Sequence, residues 1–203
     1  VSKYSHKIRG GTLLDKDFSK PQAFHEIPVT RSGGIAVIIS LSVFFYIYYL
    51  LYDEVLYNYI FISYSVFIVG FLDDLRINIK PLSRLIIMIL LLFIFIYVLQ
   101  IKILNIDIPF LSYLMSNYLF SSIFVLLCFL FVINGANLID GFNGLLTINL
   151  IIINIVLTYI NINNENLEFS ILLISQIIIL LSFLLFNFPS AKIFLGDSGA
   201  YTM

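Results

Sequence analysis

"LSRLIIMILLLFIFIYVL", residues 82–99, is an apolar run long enough to cross a membrane, and it decides the fold. A membrane helix needs about 20 mostly apolar residues. In lipid the backbone hydrogen bonds have to be satisfied within the segment, so a helix is expected here and an open sheet is not. The run therefore predicts a transmembrane helix in an integral membrane protein.

Five more runs of similar character lie on either side of it. The six predicted spans are 35–51, 55–72, 82–99, 118–133, 145–160 and 169–186. Of the 203 residues, 61% are hydrophobic and 11% are charged, against about 25% charged in soluble domains. We predict an all-α polytopic membrane protein with about six transmembrane helices in one domain over residues 1–203. Because the sequence starts at Val1 and stops soon after a glycine-rich motif, we expect a fragment incomplete at both ends.

Charge and cysteine content exclude several classes of function. The formal net charge is −1, and no long basic tract predicts a nucleic-acid partner. The single cysteine, Cys128, lies within an apolar run. A disulfide framework and a cysteine-based zinc site are therefore excluded.

The positive charges divide unequally between the two sides of the predicted membrane. Ten Lys and Arg residues belong to one set of loops or to the adjoining edge of the third helix, whereas the other set holds Lys102 alone. An excess of Lys and Arg marks the cytoplasmic side. Four polar clusters reach this side, and they span residues 20–34, 70–84, 134–146 and 187–200. We therefore predict a functional site on the cytoplasmic face.

Two adjacent aspartates, Asp73 and Asp74, end the second predicted helix. Neighbouring helical positions point about 100° apart, so the two carboxylates should have different partners. Negative charge at a helix C-terminus opposes the helix dipole and calls for a cation or a metal ion. The alternative is a solvated helix end neutralised by Arg76.

The segment "NGANLIDGFNGLL", residues 134–146, repeats a polar residue at every third position: Asn134, Asn137, Asp140 and Asn143. If the preceding helix continues into this segment, these side chains form a polar stripe at its cytoplasmic end. Carboxylate and amide groups offer both acceptors and donors. The alternative is an ordinary polar turn.

A third aspartate position comes from "FLGDSG", where Asp197 stands between Gly196 and Ser198. Such a segment can also be a simple turn. The polar clusters thus contain several carboxylate and amide side chains and no cysteine. Such a set suits Mg²⁺, which prefers oxygen ligands and usually also binds substrate phosphates. The GxxxxGK[ST] motif is absent, which excludes a P-loop nucleotidase. Phosphate charge would then be met by Mg²⁺ and by basic residues, most of which would also serve simply as topogenic charges.

Together these motifs resemble those of the polyprenyl-phosphate N-acetylhexosamine-1-phosphate transferases. The matching segments are "HEIPVTRSGG", "GFLDD", "NGANLIDGFNGL" and "NFPSAKIFLGDSG", in the order of the family. The resemblance implies transfer of N-acetylhexosamine-1-phosphate from a UDP-sugar to polyprenyl phosphate, with UMP as the second product. It also implies a multi-pass protein of the bacterial inner membrane whose partners are UDP-N-acetylhexosamine, polyprenyl phosphate and the lipid bilayer. Mg²⁺ is the implied cofactor, and Mn²⁺ and a homodimer are compatible with the resemblance.

The resemblance also assigns roles to residues of this sequence. Asp73 is similar to the group that deprotonates or orients the lipid phosphate, with Asp74 and Asp140 as further catalytic residues. Asp197 is similar to the principal Mg²⁺ ligand, and Asn137 is similar to a metal or diphosphate contact. The predicted substrate-binding residues are Lys20, His25, Arg31, Asn134, Asn143, Asn187, Lys192 and Phe194. Phe194 resembles an aromatic that stacks on uracil, and its alternative role is an apolar plug.

The sequence departs from the family pattern in three respects. The family has a further helix before the first motif, and it has several helices and a His-rich cytoplasmic loop after the last, so we do not expect this chain to act alone. Asn143 replaces the last Asp of the usual DGxDG pattern. "PVTRSGG" resembles the surface-glycan branch (O-antigen or teichoic acid) more than the peptidoglycan branch, where Thr-Met-Gly-Gly would be expected.

Two other classes of protein compete with this interpretation. A transporter would place ionisable residues near the bilayer midplane, but the predicted helix interiors carry no charge apart from Arg84 at one edge. A non-catalytic membrane scaffold would leave the paired aspartates and the three-residue spacing of the polar stripe unexplained.

Overall fold

A computed structural model describes residues 14–15, 29–75, 80–101, 103, 106 and 108–203. These residues form eight helices and one short pair of strands. The strands are β1 (Leu14–Asp15) and β2 (Val29–Thr30), which pair antiparallel. The helices are α1 (Gly33–Tyr52), α2 (Tyr57–Asp74), α3 (Pro81–Leu99), α4 (Pro109–Met115), α5 (Tyr118–Ile139), α6 (Leu145–Asn163), α7 (Leu167–Asn187) and α8 (Gly196–Thr202). The all-α prediction is confirmed.

Five of these helices are long and apolar enough to cross a membrane: α1, α3, α5, α6 and α7. In each of them only 22–33% of the most apolar window is buried within the protein, so most side chains face outwards. Each of the six predicted spans is a helix, but α2 is not among the five, because it carries Asp73 and Asp74 at its end and polar residues in its first turn.

Helix ends follow local sequence signals. Pro81 begins α3, a position where its missing N–H costs nothing. The side chain of Asn166 caps α7 by accepting a hydrogen bond from the Phe169 amide at 3.3 Å. Asp53 and Gln100 end α1 and α3 in the left-handed conformation that commonly closes helices.

The chain divides into two compact units. One consists of residues 1–78 and 136–203, and the other of residues 79–135. In the first unit α6 packs against α7, and α8 packs against α1 and α2. Every residue of α8 is buried. This short buried helix carries Asp197 and organises the candidate site.

Candidate active site

The candidate site forms around the first turn of α8, where helix geometry leaves backbone N–H groups without partners in the helix. Asp140 Oδ2 accepts a hydrogen bond from the Gly196 amide at 2.9 Å. The two oxygens of Asp74 accept from the amides of Asp197 and Ser198, at 3.0 and 2.9 Å. The Ser198 hydroxyl also donates to Asp74 Oδ2 at 2.6 Å. Two aspartates from distant segments therefore cap the helix that carries Asp197.

The conformation of Gly196 makes this capping arrangement possible. Its φ angle is +72°, which side chains disfavour. A Cβ atom on this residue would lie 2.7 Å from Asp74 Oδ2. Glycine at this position thus lets the Asp74 carboxylate approach the backbone of α8.

The side chain of Asp197 is only 4% exposed. Its Oδ1 lies 3.6 Å from Arg31 Nη1, and its Oδ2 accepts a hydrogen bond from the Tyr201 hydroxyl at 3.4 Å. The side chain of Asp73 is also hydrogen-bonded to it. Asp73 and Asp74 therefore bond to different groups, the Asp197 side chain and the backbone amides of α8, as their spacing on α2 predicted.

Burial changes the acidity of three of these carboxyl groups. It raises the pKa of Asp74 to about 6, although the hydrogen bonds from Ser198 and Asp197 act in the opposite direction. It raises the pKa of Asp140 to about 7. For Asp197, burial and the neighbouring Asp73 and Asp74 together raise the pKa to about 8, while Arg31 lowers it. Arg31 therefore offsets only part of the cost of ionising these three carboxyl groups.

Asn143 and Asn187 connect two loops next to the site. Asn187 is 2% exposed, accepts from the Gly144 amide at 2.7 Å and donates to the Ile193 carbonyl at 2.9 Å. Asn143 donates to the Pro189 carbonyl at 3.0 Å, and its Oδ1 is buried without a hydrogen-bond partner among the described residues. These bonds support a role in holding loop 140–144 against loop 187–193. Their predicted substrate contacts stay predictions.

The polar stripe is partly helical, as predicted, because α5 continues to Ile139 and includes Asn134 and Asn137. Asn137 donates from Nδ2 to the Tyr201 hydroxyl at 3.3 Å. Asn134 belongs to the second unit and donates to the Leu130 carbonyl of its own helix at 2.7 Å. Asp140 and Asn143 follow in the turn between α5 and α6.

The other predicted substrate residues lie in different environments. Phe194 is 3% exposed, which favours the apolar plug over a stacking surface for uracil. Arg31 reaches Asp197, whereas Lys192 is exposed and its amide donates to the Phe186 carbonyl. Lys20 and His25 lie outside the described residues. Tyr201, which touches Asp197, was missed by the sequence analysis; the signal was its position one helical turn after Asp197.

The donor set fits Mg²⁺ if substrate supplies further ligands. Within the part of the chain that the structure describes, no group of three or more His, Cys, Asp or Glu side chains is arranged to hold a metal ion. Mg²⁺ is usually bound by one or two carboxylates together with waters and substrate phosphates. Asp73 and Asp197 share a hydrogen bond, so a cation could replace the proton between them. The geometry therefore suits a cation shared with a phosphate ligand.

Comparison with known proteins gives a family match over most of the chain. The model of glycosyl transferase family 4 matches residues 56–203. The phospho-N-acetylmuramoyl-pentapeptide-transferase of Clostridium perfringens (strain 13 / Type A) is 30% identical over 98% of this chain and 65% of its own length. The enzyme of the same name from Streptococcus sanguinis (strain SK36) is 30% identical over 99% of this chain and 64% of its own length. The chain thus spans just under two thirds of these relatives.

These relatives correct the predicted branch. Their names place them in the peptidoglycan branch, whereas "PVTRSGG" had favoured the surface-glycan branch. The short segment at Arg31 and Ser32 was a weaker guide than similarity along the whole chain. In the structure Arg31 faces Asp197, so this segment contributes to the site itself.

Proposed function

The chain belongs to glycosyl transferase family 4, and we propose that the protein containing it transfers a phospho-sugar from a UDP-sugar to polyprenyl phosphate in the bacterial cytoplasmic membrane. An oxygen of the lipid phosphate attacks the phosphorus that carries the sugar. The bond from that phosphorus to the bridging oxygen breaks, and UMP leaves. The observation that carries the proposal is the buried Asp197 on α8, a helix capped by two further aspartates, with Asp73 and Arg31 beside its carboxylate.

The side chains divide into two groups by their contacts. Asp74 and Asp140 use their oxygens on backbone amides of α8, so they position Asp197. Asp73 and Asp197 face each other, and Arg31 supplies positive charge beside them. We assign Asp73 to orienting or deprotonating the lipid phosphate and Asp197 to holding Mg²⁺. When bound, Mg²⁺ would neutralise charge on the transferring diphosphate.

The rigid attachment of α8 supports this assignment. Phosphoryl transfer depends mainly on positioning and on preorganised charge, without a covalent intermediate on the protein. The α8 backbone is fixed at its first turn by four hydrogen bonds, from 2.6 to 3.0 Å long. Asp197 is thereby held in place before substrate binds.

For the donor we propose UDP-N-acetylmuramoyl-pentapeptide. The support is the name shared by the relatives from Clostridium perfringens and Streptococcus sanguinis. UDP-N-acetylglucosamine is the comparison substrate, because it represents the donor class that the motif at Arg31 had favoured. The cytoplasmic orientation of the site rests on the unequal distribution of Lys and Arg.

The test is UMP release by the full-length protein in detergent with polyprenyl phosphate. We expect release only when Mg²⁺, lipid phosphate and UDP-N-acetylmuramoyl-pentapeptide are all present. Asp197→Ala and Asp73→Asn should each lower kcat by at least about 100-fold, in the range for lost electrostatic stabilisation.

Asp53→Asn provides the matched control. Asp53 is an exposed residue that ends α1 in the left-handed conformation, which asparagine also tolerates. This variant should keep wild-type turnover. Full turnover in Asp197→Ala or Asp73→Asn would refute the site, and faster release from UDP-N-acetylglucosamine would refute the donor.

A further inference from the structure

Tyr201 lies one helical turn after Asp197 on α8, so the two side chains are neighbours on the same face. Tyr201 is 6% exposed. A buried tyrosine hydroxyl normally finds a hydrogen-bond partner. Here the partner is the carboxylate on which the proposed reaction depends.

The directions of two hydrogen bonds of this hydroxyl are defined by their partners. Asn137 Nδ2 can only donate, so Tyr201 Oη accepts that bond, at 3.3 Å. The hydroxyl proton is then directed to Asp197 Oδ2, at 3.4 Å. The amide of α5 thus orients the hydroxyl, and the hydroxyl orients the carboxylate of α8.

The two oxygens of Asp197 consequently have different partners. Oδ2 faces Tyr201, and Oδ1 faces Arg31 at 3.6 Å. Without the hydroxyl, Oδ2 would lose the hydrogen bond that holds it on the side of Tyr201, opposite the partner of Oδ1. Rotation of the Asp197 carboxylate would then change the position of the oxygen that is proposed to bind the metal ion.

We propose that Tyr201 is a positioning residue that fixes the orientation of the Asp197 carboxylate through its hydroxyl. The proposal deepens, and rests on, the proposed transfer reaction. It also gives Asn137 a role, because its amide nitrogen holds the hydroxyl.

The decisive variant is Tyr201→Phe in the full-length protein, which keeps the ring and removes only the hydroxyl. We expect Mn²⁺ affinity, measured by electron paramagnetic resonance, to fall about tenfold, as for other lost supports of a metal ligand. In UMP release we expect kcat to fall while KM for the UDP-sugar stays unchanged. Phenylalanine should leave the thermal unfolding temperature close to that of the wild type.

Tyr64→Phe is the matched control. The Tyr64 hydroxyl shares a 2.5 Å hydrogen bond with the Ser42 hydroxyl between α2 and α1, away from Asp197. This variant should retain wild-type Mn²⁺ affinity and kcat. In a double-mutant cycle, Asn137→Leu should have little further effect once Tyr201 is phenylalanine, because both residues act through one contact.

The outcomes separate this proposal from the proposed reaction. Mn²⁺ binding that depends on Tyr201 in a protein without UMP release would support the positioning role and refute the reaction. UMP release with unchanged kcat and Mn²⁺ affinity in Tyr201→Phe would support the reaction and overturn the positioning role. The positioning role would also be overturned if Tyr64→Phe lost as much Mn²⁺ affinity and kcat as Tyr201→Phe, or if the effects in the double-mutant cycle were additive. An unfolded Tyr201→Phe protein, or a wild type that does not bind Mn²⁺, would overturn it as well.

Discussion

Asn143 shows what one residue contributes to the site. The usual family pattern has aspartate at this position, and the sequence alone gives no reason for the change. In the structure the Asn143 amide donates to the Pro189 carbonyl at 3.0 Å. Aspartate has no donor when ionised, so it could not make this bond. Asparagine at 143 is therefore explained by the loop that it faces.

Asn143→Asp should destabilise the protein by about 0.5–1.5 kcal/mol, the usual net contribution of one hydrogen bond, because it removes the donor to the exposed Pro189 carbonyl and brings a carboxylate towards it. Thermal unfolding in detergent would measure the change. Asn166→Asp is the matched control, since Asn166 caps α7 as an acceptor and aspartate accepts equally well. Equal unfolding temperatures for the two variants would contradict our explanation.

For the paired aspartates, Asp73 and Asp74, only part of the structural role could be predicted from the sequence. Their spacing on a helix predicted separate partners, and this was correct. The partners themselves could not be predicted, because Asp74 bonds to residues 123 and 124 positions away in the chain. Tyr201 was missed for a similar reason, since a tyrosine in a mostly apolar sequence shows its role only when its neighbours are known.

Among the elements, α8 determines the architecture of the site. It is only seven residues long and fully buried, so its neighbours must approach its backbone closely. Gly70 on α2 provides one such approach: a Cβ atom there would lie 2.6 Å from the Asp197 carbonyl carbon and oxygen. Glycine at position 70 thus permits the close packing of α2 on α8.

Gly70→Ala should push α2 away from α8 and destabilise the protein by about 1–3 kcal/mol, the usual cost of overpacking. UMP release should fall as well, because Asp74 caps α8 from the same helix. Gly135→Ala is the matched control: Gly135 lies in α5, and none of the described residues has an atom within 4 Å of the added Cβ. Alanine there should stabilise the helix by up to about 1 kcal/mol. Unfolding temperatures in detergent that do not separate the two variants would argue against the packing role.

The secondary structure was largely predictable because membrane helices are recognisable in a sequence as long apolar runs. Helix α5 is longer than its predicted span, since the polar stripe continues it to Ile139. The short helix α4, Pro109–Met115, was not predicted, because seven residues carry too little periodicity. The buried helix α8 was not predicted either, because the sequence around Asp197 is also compatible with a simple turn.

On the scale of the whole molecule, the site concentrates buried acid beside one described arginine. Asp74, Asp140 and Asp197 all have a raised pKa, mainly through burial, and Arg31 lowers each of them. A cluster of this kind is costly to ionise inside a protein. It gains stability from protons at low pH or from a bound cation at higher pH.

This charge balance predicts how stability depends on pH. The three carboxyl groups have pKa values of about 6, 7 and 8 in the folded state, against about 3.9 when unfolded. Between about pH 4 and pH 8 the folded protein thus binds more protons than the unfolded chain does. Its stability is therefore greatest at the acidic end of this range and falls as the pH rises.

In chelator, we expect the unfolding temperature at pH 8 to lie at least about 3 °C below that at pH 6, the shift produced by about 1 kcal/mol in a protein of this size. Mg²⁺ should reverse more of the loss at pH 8 than at pH 6, because it binds the folded carboxylates that protons no longer neutralise. Asp197→Asn, which removes the most strongly shifted group, should flatten both responses. Unfolding temperatures independent of pH, or an equal Mg²⁺ response in Asp197→Asn, would show that this cluster does not control the charge balance of the fold.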